Sequence, residues 1–220
     1  MDNYIIKKTK RKTMSITINT KGDVVVAVPK NTSDRAVLNF IDKHSDWIDE
    51  KLLKINTVLK ENDEIIKYEK IFLLGKKYKA VYIDGLRQII LQDDQIYIPS
   101  SYKNKIKNYL RKWYMTYFDE IVVTRTNNLL KKLNLFCKEI VAITSVRRWG
   151  SCSSDKKISF NYKILMLDIP LIDYIIVHEV CHLVEMNHGP QFWKKVSVIL
   201  PDYKELIKRL KNCGYLLQNL

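Results

Sequence analysis

The chain has 220 residues, is 46% hydrophobic and 28% charged, and carries a net charge of +14. This length and apolar content suit one large domain or two small ones and exclude a disordered chain. Cys137, Cys152, Cys181 and Cys213 are widely spaced with no C-x-x-C pair, a pattern expected of reduced thiols in a cytosol and not of a disulfide framework.

Residues 4–10 and 13–19 carry β-prone types, Ile5-Ile6 and Ile16-Thr17-Ile18, and are predicted strands. Lys21-Gly22-Asp23 is a turn, and 24–28 is another strand, stopped by Pro29. Asn31-Thr32-Ser33 opens a helix, and Val37, Leu38, Ile41, Ile48, Leu52 and Leu53 recur at helical spacing to about residue 60. Four short strands follow at 71–74, 78–83, 87–91 and 95–98, with turns at Gly75-Lys76, Asp84-Gly85 and Asp93-Asp94. Pro99-Ser100-Ser101 then leads into a long helix over 103–133, with Ile106, Leu110, Tyr114, Tyr117, Ile121 and Leu129 on its core side.

A strand is expected at 140–146, a loop or hairpin end at 150–157, and a return strand at 158–162. A helix from Pro170 runs to about Met186, and two more lie near 190–199 and 203–212, the last capped by Gly214. The class is α+β. The expected division is a β-rich region with one helix over 1–100, and a mainly helical region over 101–220 that carries the chemistry.

Three of the four histidines, His178, His182 and His188, fall within eleven residues; the fourth, His44, lies in the first predicted helix. Residues four apart on a helix share a face, so His178 and His182 can reach one ion at Zn–N distances of about 2.0–2.1 Å. Glu179 stands where H-E-x-x-H sites place the general base beside an activated water. Neutral imidazoles leave the charge of zinc largely uncancelled, so the ion polarises a carbonyl and lowers the pKa of water towards ~7. A neighbouring carboxylate takes the proton and returns it to the leaving amine.

A catalytic zinc needs three protein ligands and one open position. His188 is the expected third ligand. The helix must end for it to fold back, and Asn187, Gly189 and Pro190 are residues that end helices and turn chains. Glu185, seven residues after His178, is the competing third ligand or a partner orienting a histidine, but it would have to reach back along its own helix. Cys181 is read as packing on the buried side of the helix.

The stretch His178-Glu179-Val180-Cys181-His182-Leu183-Val184-Glu185-Met186-Asn187-His188-Gly189-Pro190-Gln191-Phe192-Trp193 resembles the YgjP-like zinc metallopeptidases. Arg148-Trp149-Gly150-Ser151-Cys152-Ser153 resembles an upstream block of that family, and Pro201-Asp202-Tyr203-Lys204 a downstream one. The likeness is densest over 147–214; a looser one links the chain to SprT-like proteases. It implies a zincin-like C-terminal half with a small antiparallel sheet and a metal-binding helix, Zn2+ on His178, His182 and His188, and Glu179 as base. Metzincins share the spacing but have glycine where Glu185 stands, so the return path differs.

In zincin folds an edge strand above the metal helix pairs with an extended peptide. The strand near 141–148, or its return strand, is expected in that role. Arg148 or Trp149 would then contact substrate or stabilise the oxyanion; equally, Trp149 is a core anchor and Arg148 an ion-pair partner. Phe192 and Trp193 are read as core residues locking the helix after the ligands. Tyr174 and Tyr203 are further oxyanion donors that spacing does not separate.

The leading expectation is a cytoplasmic zinc metallopeptidase with a peptide or protein substrate. A second is a protease acting on nucleic-acid-bound protein, suggested by the looser likeness and by the net charge of +14; the basic residues are dispersed, with local clusters at Lys7, Lys8, Lys10, Arg11 and Lys12 and at Lys103, Lys105, Lys107, Arg111 and Lys112, and read first as solvated faces. A third is a non-catalytic binding protein whose zinc is closed by Cys152 or Cys181. The N-terminus has no apolar signal segment, and no run is long enough to span a membrane.

Overall fold

A computed structural model of the chain describes residues 4–19, 22–66 and 69–217, with the backbone alone described over 58–66. Lys21 of the expected first turn lies outside the described residues. The chain forms two compact units, Met1–Glu64 and Ile65–Leu220.

In the first unit, β1 (Tyr4–Thr9), β2 (Ser15–Ile18) and β3 (Val24–Pro29) form a sheet of order β1-β3-β2. β1 runs parallel and β2 antiparallel to β3. Alternation along β3 buries Val24, Val26 and Val28, which cluster with Val37, Ile41 and Ile48 from α1 (Asp34–Asp42) and α2 (Ser45–Ile66). Ser33 caps α1 by accepting a hydrogen bond from the Ala36 amide. The single helix expected over this stretch is broken at Lys43-His44, where the His44 ring nitrogen Nδ1 lies 2.8 Å from the Phe40 carbonyl.

The second unit begins with β4 (Lys70–Leu73), β5 (Lys76–Ile83), β6 (Ile90–Gln92) and β7 (Gln95–Pro99), in the order β4-β5-β7-β6. β5 and β7 pair in parallel, so Asp84-Gly85 turns the chain away without closing a hairpin. The boundary expected at residue 100 is corrected by these strands. Ile71, Phe72, Leu73, Ile96 and Ile98 are buried in one core with the C-terminal helices. Tyr114 donates its hydroxyl to the Phe72 carbonyl, and the Leu74 amide donates to the Leu165 carbonyl at 2.7 Å. An apolar sheet face needs a partner, and here the C-terminal half supplies it.

The long helix opens with a 3-10 turn over Ser100–Lys105 and continues as α3 (Ile106–Phe118), a π turn over Asp119–Val123, and α4 (Thr124–Leu133). Its buried stripe is Ile106, Leu110, Tyr114, Phe118, Val122, Thr126 and Leu130, a strict four-residue repeat. Such a repeat drifts about 40° per step on an α-helix, and the underwound π turn takes up part of that drift. Tyr117, Ile121 and Leu129, expected on this stripe, are only half-buried for the same reason. Asn134, with φ 52°, ends α4 in the left-handed conformation.

The third sheet is β8 (Glu139–Ile143), β9 (Gly150–Cys152) and β10 (Lys157–Asn161), in the order β8-β10-β9. It is mixed: β10 pairs parallel with β8 and antiparallel with β9. The helices α5 (Ile169–Cys181), α6 (Pro190–Ile199) and α7 (Tyr203–Asn212) follow. α5 is buried over most of its surface, with Leu171, Ile172, Tyr174, Ile175, Ile176, Val177, Val180 and Cys181 in the core and Asp173, paired with Arg125, half-buried. A helix this apolar belongs in the middle of a unit, and α5 packs against α4, α6, α7 and β9. None of the described helices is long and apolar enough to cross a membrane.

Asp168 fixes where α5 starts. Its Oδ1 accepts from the Leu171 amide at 3.2 Å, and its Oδ2 pairs with Arg209 on α7. Replacing Asp168 with Ala is expected to cost about 1–2 kcal/mol of unfolding free energy through the lost cap. Asp168→Asn, which keeps a capping oxygen, should lose less; urea denaturation of the two variants checks the order.

Candidate metal centre

α5 ends five residues earlier than expected, at Cys181, with His182 as its C-cap. The Val184 and Glu185 amides both donate to the Cys181 carbonyl, at 3.1 and 3.0 Å, which turns the chain sharply. α6 then starts at Pro190, whose missing N–H costs nothing in a first turn. His188 is thereby carried back beside the last turn of α5.

The three imidazoles converge. Nε2 of His182 lies 3.3 Å from Nε2 of His178 and 3.1 Å from that of His188, and His188 and His178 are 3.0 Å apart. Tetrahedral donors about 2.0–2.1 Å from one ion stand about 3.3–3.4 Å from each other, close to this spacing. Three neutral imidazole nitrogens cannot all pair among themselves, since each pairing needs one N–H and one lone pair. A cation shared by three lone pairs removes that conflict. The acceptor facing His182 Nδ1 is the Glu185 carbonyl at 3.0 Å, so Nδ1 carries the proton and Nε2 the lone pair. Burial, and then His182 and His188, push His178 down to about 4, which keeps it neutral. Burial likewise lowers His182. The residues present suit a metal ion, and among the described residues this is the one group with metal-ligating geometry.

Glu185 contributes its carbonyl to this site and its carboxylate is not in the cluster. Cys152 and Cys181 are also outside it. Burial raises both thiols to about 11, and a protonated thiol is a poor ligand. His44 belongs to the other unit.

Glu179 is 6% exposed and follows His178 on α5. Burial raises its carboxyl to about 7, opposed by the positive charge of Arg148; a divalent ion at the triad would lower it again. Arg148 itself is exposed, whereas Trp149 is half-buried against the core and accepts from the Asn161 amide at 2.7 Å. Tyr174 is buried, its hydroxyl raised to about 12 by burial and then by Glu179 and Tyr203, and its ring centroid lies 5.9 Å from that of His178.

Of the two strands expected to hold substrate, the one near 141–148 is β8, an edge of its sheet, and the one returning from 158 to 162 is β10, in the middle of that sheet, where both edges are already paired. The edge beside α5 is β9, in the stretch read as a loop. Two positioning residues were not legible in the sequence. Asn161, fully buried, donates through Nδ2 to the Ser145 carbonyl at 2.6 Å and the Arg148 carbonyl at 3.3 Å, and so holds the segment before β9. Gly150 lies against the Glu179 carboxylate: a Cβ there would come 2.8 Å from Cγ and Oε1 of Glu179. Its role is close approach, and nothing in a single glycine advertises that.

An α+β unit with converging imidazoles at the end of its central helix has the make-up of a metallopeptidase. The chain belongs to the YgjP-like family, whose metallopeptidase domain matches residues 12–213; it is a metal-dependent peptide-bond hydrolase, and its substrate is a peptide or protein. No curated protein matches the chain. Among solved structures it is similar to the metallopeptidase zymogen abylysin of Pyrococcus abyssi, with 22% identity, a TM-score of 0.38, and coverage of 40% of this chain and 90% of that one. It is similar also to the zymogen jannalysin of Methanocaldococcus jannaschii, with 22% identity, a TM-score of 0.36, and coverage of 40% and 92%.

Gly150→Ala is expected to displace the Glu179 carboxylate while leaving the imidazoles in place. Metal content should match the wild type and hydrolysis of a casein or peptide-library substrate should fall by about 10–100-fold. Unchanged turnover would contradict the close approach.

Proposed function

We propose that the metal is zinc, that His178, His182 and His188 hold it through Nε2, and that Glu179 is the general base of peptide hydrolysis. The observation that carries this reading is the convergence of three Nε2 atoms within 3.0–3.3 Å beside a buried carboxylate. Three neutral nitrogen donors with no thiolate or further carboxylate suit a catalytic zinc, which keeps an open coordination position. Bound there, zinc supplies Lewis acidity that polarises the scissile carbonyl and lowers the pKa of the attacking water.

The chain's own residues do the rest. Glu179 accepts the proton of the water whose oxygen bonds to the carbonyl carbon, then delivers it to the amine as the C–N bond breaks. Gly150 leaves the space in which that carboxylate sits. β9, as an edge strand packed on α5, is suited to hold an extended peptide through its main chain. Arg148, exposed two residues before β9 with its charge acting on Glu179, is suited to contact a substrate carbonyl or a developing oxyanion. Trp149 anchors that segment in the core, with only its partly exposed edge left to touch substrate. The basic stretch Lys103–Lys112 lies on the 3-10 turn and α3, and no hydrogen bond, ion pair or ring contact among the described residues joins it to the triad; the geometry of the site adds nothing to the nucleic-acid reading.

Glu179→Gln is expected to fold and retain zinc while turnover falls by about 10²–10⁴-fold, the range for loss of a positioned base. Elemental analysis should find zinc in the wild type and in Glu179→Gln and little in His178→Ala. Equal zinc in His178→Ala would overturn the ligand set, and unimpaired turnover in Glu179→Gln would overturn the base.

A further inference from the structure

A ligating imidazole is ordinarily oriented by a hydrogen bond from its second nitrogen to a carbonyl or carboxylate. Among the described residues only His182 has one, from Nδ1 to the Glu185 carbonyl. Nδ1 of His178 is buried with no partner among the described residues, and His188 makes no hydrogen bond beyond those between the imidazoles themselves. The torsion that turns an imidazole about its Cβ–Cγ bond is broad. Two of the three rings would therefore swing unless something else held them.

Phe192 is that contact. It is fully buried in the first turn of α6 and touches all three rings. Its centroid lies 4.6 Å from that of His182, nearly parallel at 28°. It lies 5.0 Å from His178 and 4.7 Å from His188, both edge-on at 71° and 77°. Trp193 closes the outer side, stacked on His188 at 5.9 Å and 29° and reaching His178 at 6.2 Å. Trp193 is in turn backed by Tyr203 of α7 at 5.3 Å and 18°. These separations lie within the range where aromatic pairs attract.

We propose that Phe192, together with Trp193, is the positioning element of the metal centre, fixing by ring packing the imidazoles that no hydrogen bond fixes. The proposal rests on the triad being the metal site. It goes beyond a core role for these two residues, because ring packing that sets the direction of Nε2 must alter metal affinity as well as stability. It also makes α7 a remote support of His188, through the stack of Tyr203 on Trp193.

The test is the Zn2+ dissociation constant of the full chain, measured by competition with a chromophoric chelator, beside the visible absorption of the Co2+-loaded protein and the melting temperature of the metal-free protein. Phe192→Leu and Trp193→Leu are expected to weaken Zn2+ binding by about 10–100-fold, the range for losing an outer partner of a ligand. Both should also change the Co2+ spectrum, and Trp193→Phe should recover most of the loss. Val196→Ala, a buried change on α6 outside the cluster, should lower melting without moving the affinity. Folded Phe192→Leu and Trp193→Leu with wild-type affinity and spectrum would overturn the proposal. Should Phe192→Leu fail to fold, Trp193→Leu and its rescue by Trp193→Phe decide it. Wild-type zinc binding that survives His178→Ala would instead overturn the triad itself, a distinguishable failure.

Discussion

The site depends on how α5 ends. His178 and His182 are one turn apart, so their side chains share a direction, but a helix cannot add a third imidazole to that point from its own face six residues on. The chain has to leave the helix at Cys181 and return. The amides of Val184 and Glu185 folding onto the Cys181 carbonyl make the turn. The same turn presents the Glu185 carbonyl to His182 Nδ1, which fixes the tautomer and leaves the Nε2 lone pair facing its neighbours. It then delivers His188, and four residues later α6 supplies Phe192 beneath all three rings. Convergence of the imidazoles, tautomer and packing follow from one local event.

The rest of the second unit holds that event still. α5 is buried over most of its surface and packed by α4, α6, α7 and β9, which leaves it little room to slide. Its start is held by Asp168, which caps the helix and pairs with Arg209 of α7. Gly75, with φ +81°, packs so closely on Asp168 that a Cβ there would come 2.6 Å from the Asp168 Cβ. The β4–β5 turn is therefore seated on the beginning of the helix that carries the imidazoles at its end. On the other flank, Asn161 clamps the segment before β9, and β9 lies against Glu179 through Gly150. A carboxylate in that position has little freedom and little water around it.

The chemistry was more legible in the sequence than the architecture. H-E-x-x-H with a later His-Gly brings its own geometry, because helical spacing alone places His178 beside His182, and the structure puts His188 with them. Elements with strong local signals, such as β3, β10, α6 and α7, lie close to where periodicity and turn residues put them. The failures have non-local causes. The division at residue 100 followed a change in element type, but β4–β7 share a core with the C-terminal helices, a matter of which apolar faces meet. The parallel pairing of β5 with β7 and the central place of β10 are decided by tertiary packing, which a run of alternating residues does not encode. The break at Lys43-His44 and the π turn at Asp119–Val123 shift register inside segments whose apolar spacing reads as continuous. Gly150 and Asn161 matter through what they touch, and in a sequence each is a single small or polar residue.

The central claim is that three imidazoles and no fourth side chain bind one zinc ion. A crystal structure of the zinc-loaded protein, with the metal located by anomalous scattering at the zinc edge, tests it most directly. The account predicts one ion about 2.0–2.1 Å from Nε2 of His178, His182 and His188, with a solvent molecule in the remaining position next to Glu179. An ion bound elsewhere, or a coordination sphere completed by Cys152, Cys181 or Glu185, would contradict it.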